Sequence, residues 1–335
     1  MTHPEHGYYR HGLPIGRCGD FITAPEISQV FGELIGLWAV AVWEEMRCPR
    51  QLTLVELGPG RGVLIVDALR AIRQTRPHAL AAFRLHLVEV STSLREFQRQ
   101  ALIDGPLPQT PVWQDRLEAV PSGPVVLIAN EFIDTLPIRQ YVRTEGVWRE
   151  RRIGLDEAGN GFAWTLGAPR QLTLPENLID CEDGDVVELC PAADALSAEI
   201  GRRVACDGGA ALLIDYGHAR PSFGETLQAV RDHAYADPLA DPGTADLSHQ
   251  VDFAALATAA AAAGAATYRP VPQGLFLSRL GIAARAQALA AASPAKAGSI
   301  EGAVRRLVHP GRMGVLFKAL AIADPALPPP PGFTR

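Results

Sequence analysis

Apolar positions in the first half of the chain form short unbroken runs that alternate with amphipathic stretches, the pattern of a parallel sheet with helices on its faces. The runs LTLVELG, FRLHLVEVS and GPVVLIANEF read as buried strands, with a short strand around Val112 and Trp113 before the last of them. GVLIVDALRAIRQ and LREFQRQAL read as helices between strands, and ITAPEISQVFGELIGLWAVAVWEEM as one long helix entered near Pro25. From IRQYVRTEGVWRERRIG to GFAWTLGAP the period shortens towards two, with turn signals at Glu145-Gly146 and Gly159-Asn160-Gly161. An antiparallel hairpin or meander is predicted to be inserted there. GAALLIDYG then supplies a fifth core strand, and VDFAALATAAAAAGA an Ala-rich helix ending at Gly264. TYRPVP and MGVLFKALAI are expected as the last two strands, with LFLSRLGIAARAQALAAA and GAVRRLV as helices between them, and PALPPPPGFTR as an extended or disordered tail. The result is a doubly wound α/β core.

Composition narrows what this core serves. A chain of 335 residues, 47% hydrophobic, buries a sizeable interior, and a net charge of -6 offers no basic face for nucleic acid or an anionic membrane. Cys18, Cys48, Cys181, Cys190 and Cys206 are scattered and form no C-x-x-C pair, so neither a disulfide framework nor a zinc site is encoded. MTHPEHGYYRHG holds no apolar signal core and no Arg-rich amphipathic stretch, and no apolar run of about 18 residues predicts a membrane span. Cytoplasmic placement is the expectation. The two lysines, Lys296 and Lys318, lie far from the glycine cluster at Gly58, which argues against a phosphate loop and against Schiff-base chemistry.

That cluster, in LVELGPGRG, ends the first strand. Glycines between a strand and a helix let backbone N–H groups approach a ligand, and the helix N-terminus adds partial positive charge. Gly58, Gly60 and Gly62 fall as G-x-G-x-G, with Val63 where a dinucleotide fingerprint needs its third glycine. Glu56 would repel a pyrophosphate and attract an ammonium. Both departures favour S-adenosylmethionine (SAM) over NAD. Glu89, after the second strand, suits a bidentate bond to two ribose hydroxyls, and Asp115, after the third, suits the adenine amino group, with Trp113 as an apolar wall. The competing account of the turn alone is tight packing.

GDFITAPEISQVFGELIG, VELGPGRGVL, ANEFIDTLPIRQ, DYG at Asp215, DPGTADLSHQVDF and GRMGVLFKAL occur in one order over nearly the whole chain. Together they resemble the SAM-dependent methyltransferase family that includes the mitochondrial complex I assembly factor, a protein arginine methyltransferase, and its bacterial homologues. The resemblance implies a class I methyltransferase fold: Rossmann-like, seven strands, mostly parallel with the last pair antiparallel, plus an N-terminal helical lid and the inserted antiparallel β lobe. It implies a protein acceptor with an exposed arginine, such as a respiratory complex I subunit. Family members carry a further helix ahead of the segment matching HPEHGYY, which here follows Met1 almost directly.

The expected division is therefore 1–50, lid and helix; 51–140, first part of the core; 141–205, inserted lobe; 206–322, the remaining core with a substrate-side loop; and 323–335, the Pro-rich tail.

Methyl transfer is an in-line displacement, so positioning dominates. Asn130 and Glu131, at the carboxyl edge of the sheet, are the candidate catalytic pair. Asn130 would bond near the methionine moiety or the substrate nitrogen, and Glu131 would pair with the guanidinium, supported by Asp134. An alternative role for Glu131 is capping the next segment. In GDFITAPEISQ, Gly19 is a candidate hinge and Thr23 or Ser28 a cap. Thr23, Pro25 and Gln29 would touch the cofactor if the segment is a lid, and the resemblance favours that over an ordinary helix start. His233, Asp237, Asp241, Asp246, His249 and Asp252 lack metal-site spacing and read as a solvated or substrate-facing loop, with His233 as a candidate general base. Asp215 and Tyr216 are expected to face the site. The alternatives are a SAM enzyme for small molecules, or an assembly scaffold that uses the VWRERRIG lobe as a contact surface.

Overall fold

The structure, a computed structural model, describes residues 7, 8, 22–103, 105 and 109–334. The hinge expected at Gly19 lies outside the described residues, as does most of HPEHGYY. The expected long first helix is broken in two, α1 (Ala24–Ile27) and α2 (Gln29–Glu45). Ser28 is extended between them, and its hydroxyl accepts from Val30 N to cap α2. There follow β1 (Leu52–Leu57), α3 (Val63–Thr75), α4 (Pro77–Ala82), β2 (Phe83–Val88), α5 (Thr92–Leu102), β3 (Val112–Gln114) and β4 (Val125–Asn130). A second group is β5 (Arg139–Thr144), β6 (Val147–Leu155), β7 (Phe162–Arg170) and β8 (Val186–Leu189). The chain then runs through α6 (Pro191–Asp207), β9 (Gly209–His218), β10 (Gln228–Arg231), β11 (Ala234–Ala236), β12 (Asp246–Ser248), β13 (Val251–Asp252) and α7 (Phe253–Ala262). It finishes with β14 (Ala266–Thr267), β15 (Val271–Pro272), α8 (Gln273–Arg279), α9 (Ile282–Ala292), α10 (Ala297–Val308) and β16 (Phe317–Ala323).

The central sheet runs β14-β16-β9-β4-β1-β2-β3, with β15 continuing the line of β14 along β16. From β9 to β3 all neighbours are parallel, while β16 is antiparallel to β9 and to β14. Counting β14 and β15 as one broken strand gives the seven positions of a class I methyltransferase, with TYRPVP supplying that interrupted edge. Leu54, Val126 and Leu212 face one core with α2 and α3, and Val55, Leu127 and Leu213 face the other. Burial on both faces explains the unbroken apolar runs. Because β2 and β4 flank β1 on opposite sides, the chain reverses direction at β1, and its carboxyl end is the topological switch point where such sheets bind ligands.

A second antiparallel sheet, β7-β6-β5-β8, forms the inserted lobe, and β11-β10-β12 forms a small third sheet. The Pro-rich tail is ordered against the core rather than loose. Trp38 Nε1 donates to Pro331 O at 3.1 Å, and the buried Phe333 ring lies 5.3 Å from Phe276.

Candidate active site

The turn after β1 is held in a left-handed backbone at Gly58, Gly60 and Gly62, and Gly62 opens α3. At Gly58 the requirement is double. Its φ is +61°, and a Cβ there would meet the Phe132 ring at 2.5 Å. Gln98 fixes the turn from below: its Nε2 donates to Gly60 O at 2.8 Å and to Glu89 Oε2 at 3.2 Å, while its Oε1 accepts from Trp113 Nε1 at 2.8 Å. Trp113 is thus a strut, with Arg99 stacked 4.9 Å over its ring, rather than a wall of the site.

Two cavities meet at Gly58. The smaller, about 50 Å³, is lined by Thr23, Pro25, Glu56, Gly60, Asn130 and Glu131 among others. Glu56 is 3% exposed, and burial pushes its carboxyl up to about 8. Its Oε2 has no hydrogen-bond partner among the described residues, and neither has Asn130 Oδ1. Glu131 Oε1 accepts from Ala24 N at 2.7 Å and from Asn130 Nδ2 at 3.1 Å. Burial outweighs those bonds and lifts Glu131 to about 7. Glu131 also holds φ +49°, a conformation costing a non-glycine residue about 1–3 kcal/mol and concentrated at functional sites.

The larger cavity, about 480 Å³, is lined by Gly58, Glu89, Asp115, Phe132, Leu247 and His249 among others. Glu89 is buried, accepts from Ser91 N at 2.8 Å and is raised by burial. Asp115 projects from the rim and pairs with Arg95 at 2.6 Å.

Three expectations are corrected. Gln29 lines neither cavity; it is exposed, and its amide donates to Glu33 Oε1 at 3.1 Å because the break at Ser28 turns it outward. His233 is an exposed turn residue between β10 and β11 with φ +62°, and it lines neither cavity. The hairpin register carries it outward, and His249, 3% exposed with its ring nitrogens 3.0 and 3.1 Å from Gln250 O and Leu136 O, is the histidine on the larger cavity. Asp215 does not face the cavities; its carboxylate accepts from the N–H groups of Ile133, Asp134 and Tyr216 and so holds the turn after Glu131. Tyr216 lies beside Asp215 with its ring 5.8 Å from Phe317 and its hydroxyl bonded to Gln228. Burial raises both Asp134 and Asp215, and their neighbouring carboxylates add to it.

Sequence reasoning passed over Gln98 and Phe132, and it placed His249 only as one member of a solvated or substrate-facing loop, with His233 preferred as the base. A signal existed for Gln98. Leu94, Gln98 and Leu102 share the buried stripe of α5, and a polar residue on such a stripe needs partners.

The sequence model of the S-adenosyl-L-methionine-dependent methyltransferases matches residues 34–271. The chain belongs to this family. The Drosophila melanogaster protein named protein arginine methyltransferase NDUFAF7 homolog, mitochondrial, is 37% identical to this methyltransferase over 354 residues, spanning 96% of this chain and 79% of its own. The human protein arginine methyltransferase NDUFAF7, mitochondrial, is 35% identical over 343 residues, 96% of this chain and 77% of its own. A Burkholderia thailandensis crystal structure with bound S-adenosyl-homocysteine has a TM-score of 0.82 at 28% identity, covering 98% of this chain and 87% of that one. The relatives' names correct the cytoplasmic placement read from the sequence, since both are called mitochondrial.

The methyltransferase's residues fit SAM. An unpartnered buried carboxylate oxygen, an unpartnered amide oxygen and a left-handed glycine turn surround the smaller cavity, as a ligand with an ammonium group requires.

Proposed function

We propose that this methyltransferase modifies an arginine side chain of a protein, and that a subunit of respiratory complex I is the leading candidate acceptor. The observation that carries the reading is the half-buried Glu131 carboxylate, on a strained backbone beside Asn130 at the carboxyl edge of β4. The relatives named as protein arginine methyltransferases support it.

Glu56 would take the ammonium of the cofactor, with Gly58, Gly60 and Gly62 and the start of α3 beneath it and Thr23 and Pro25 closing over it. Glu89 would accept the ribose hydroxyls, and Asp115 the adenine amino group. When bound, SAM supplies an electrophilic sulfonium methyl. Glu131 would accept guanidinium N–H bonds, and the approaching cation would hold its carboxylate ionised against burial. Asn130 Oδ1 would orient the reacting nitrogen, and Asp215 would keep the Glu131 turn in place. Positioning and charge placement are the protein's contribution.

The test is incubation with methyl-labelled SAM and arginine-containing proteins, including complex I subunits, followed by mass spectrometry. Label on arginine nitrogens supports the reading; label confined to another side chain or to small molecules overturns it.

A further inference from the structure

The β6–β7 hairpin of the inserted lobe presents an apolar face that the lobe does not use. Ile153 pairs with Trp164, Leu155 with Phe162 and Arg151 with Leu166, so the five apolar side chains of these pairs lie on one side of the hairpin. They are 39 to 65% exposed, and the small core of the lobe, Tyr141, Trp148, Leu178 and Val187, includes none of them. A contiguous exposed patch of this kind marks an interaction surface.

Beside it runs a groove of about 370 Å³, lined by Ile153 and Phe162 on the hairpin side and by the segment from Asp237 to Leu247 on the other. Two features identify its occupant. Leu247 also lines the larger active-site cavity, so groove and cavity adjoin along one wall. Among the described residues the only charged ones lining the groove are Asp237 and Asp241. Although Asp241 pairs with Arg231 at 3.4 Å, from Arg231 to His249 that single arginine stands against four aspartates and leaves a net negative wall. The groove therefore favours a chain with apolar and cationic side chains that continues into the site where methyl transfer occurs.

We propose that the groove between the β6–β7 hairpin and the Asp237–Leu247 segment binds the stretch of the acceptor protein flanking its target arginine. Ile153, Phe162 and the neighbouring apolar face hold an apolar side chain, and Asp237 and Asp241 hold a basic one. This assignment rests on the arginine reading above. It makes the inserted lobe the element that selects the acceptor, while the sheet edge holds cofactor and target.

The experiment uses the full chain, SAM and a peptide library with one fixed arginine and randomised flanks, reading arginine methylation by mass spectrometry. The wild type is expected to select apolar and basic residues on one flank. The double variant Ile153→Ser with Phe162→Ser loses the apolar preference and about tenfold in kcat/KM on selected peptides. The double variant Asp237→Asn with Asp241→Asn loses the basic preference. SAM affinity, measured by calorimetry, is unchanged in both. If arginine is methylated with the same flank preferences in the variants, the groove assignment is refuted and the arginine reading stands. If the wild type binds SAM but methylates no arginine peptide, the arginine reading fails and takes the groove's occupant with it. A wild-type dimer that sediments as a monomer after Ile153→Ser and Phe162→Ser gives this face to a second copy and also overturns the proposal.

Discussion

Ala24 N donates a 2.7 Å hydrogen bond to Glu131 Oε1 across 107 residues of chain, joining the start of α1 to the carboxylate at the end of β4. The same oxygen accepts from Asn130, so the proposed acceptor-binding group is also the latch for the N-terminal segment. Charge and latch separate in Glu131→Gln, whose amide oxygen still accepts from Ala24. SAM affinity is expected to stay within about threefold of wild type. Turnover should fall about 10²- to 10⁴-fold, because the neutral amide no longer pairs with a guanidinium. Calorimetry and single-turnover rates on an arginine peptide that the wild type methylates check this, and wild-type turnover in the variant would remove Glu131 from the chemistry.

Glu56 ties function to stability through pH. Burial raises it to about 8 from 4.5, so between these values the cofactor-free native state holds a proton that the unfolded state has released. Stability consequently falls as pH rises through that window, and the deficit is complete above it. Glu56→Gln removes the ionisable group and is expected to stabilise the cofactor-free protein by up to about 4 kcal/mol near pH 8 and by under about 1 kcal/mol near pH 5. The same variant loses SAM affinity, because the ammonium has no carboxylate to meet. Urea unfolding at both pH values checks the first part. Equal stabilisation at both would show that Glu56 does not titrate as its burial requires.

The parts of the site that lie on consecutive strand ends were legible in the sequence. Glu56, Gly58, Glu89, Asn130 and Glu131 each follow an unbroken apolar run, and a parallel sheet places all such ends along one edge. What depended on non-local geometry was not legible. Gln29 was read on one continuous helix, and the cap at Ser28 rotates it out of the site. His233 and His249 belong to one loop segment in sequence. Only the register of β10 with β11 and β12 sends the first to a solvent turn and the second into the cavity wall. The antiparallel edge strand fared similarly, since TYRPVP carries two prolines' worth of turn chemistry into a strand broken between β14 and β15.

Gln98 gives a test of how far the site depends on its support. From the buried face of α5 it bonds Gly60 and Glu89, in the turns after β1 and β2, and Trp113, within β3. Gln98→Leu keeps volume on an apolar stripe but leaves those groups without their partner. The expected loss is about 2–3 kcal/mol of stability and at least about tenfold in SAM affinity. Circular-dichroism melts and calorimetry measure the two. Unchanged SAM affinity with reduced stability would confine Gln98 to a structural role.

Gly58 separates two reasons for a glycine. Its φ of +61° disfavours any side chain, and its Cβ position lies 2.5 Å from Phe132 Cδ2. The left-handed backbone alone costs alanine about 1 kcal/mol, too little to abolish ligand binding. The contact with Phe132 is different in kind, because Phe132 lines the larger cavity and must move into it when a methyl group is added. Gly58→Ala is therefore expected to fold and to lose at least about tenfold in SAM affinity by way of the displaced ring. Adding Phe132→Ala should recover most of that loss if the ring is the obstruction. Failure of the second substitution to restore binding would place the requirement in the backbone of the turn itself, where the N–H groups facing the ligand depend on the left-handed conformation.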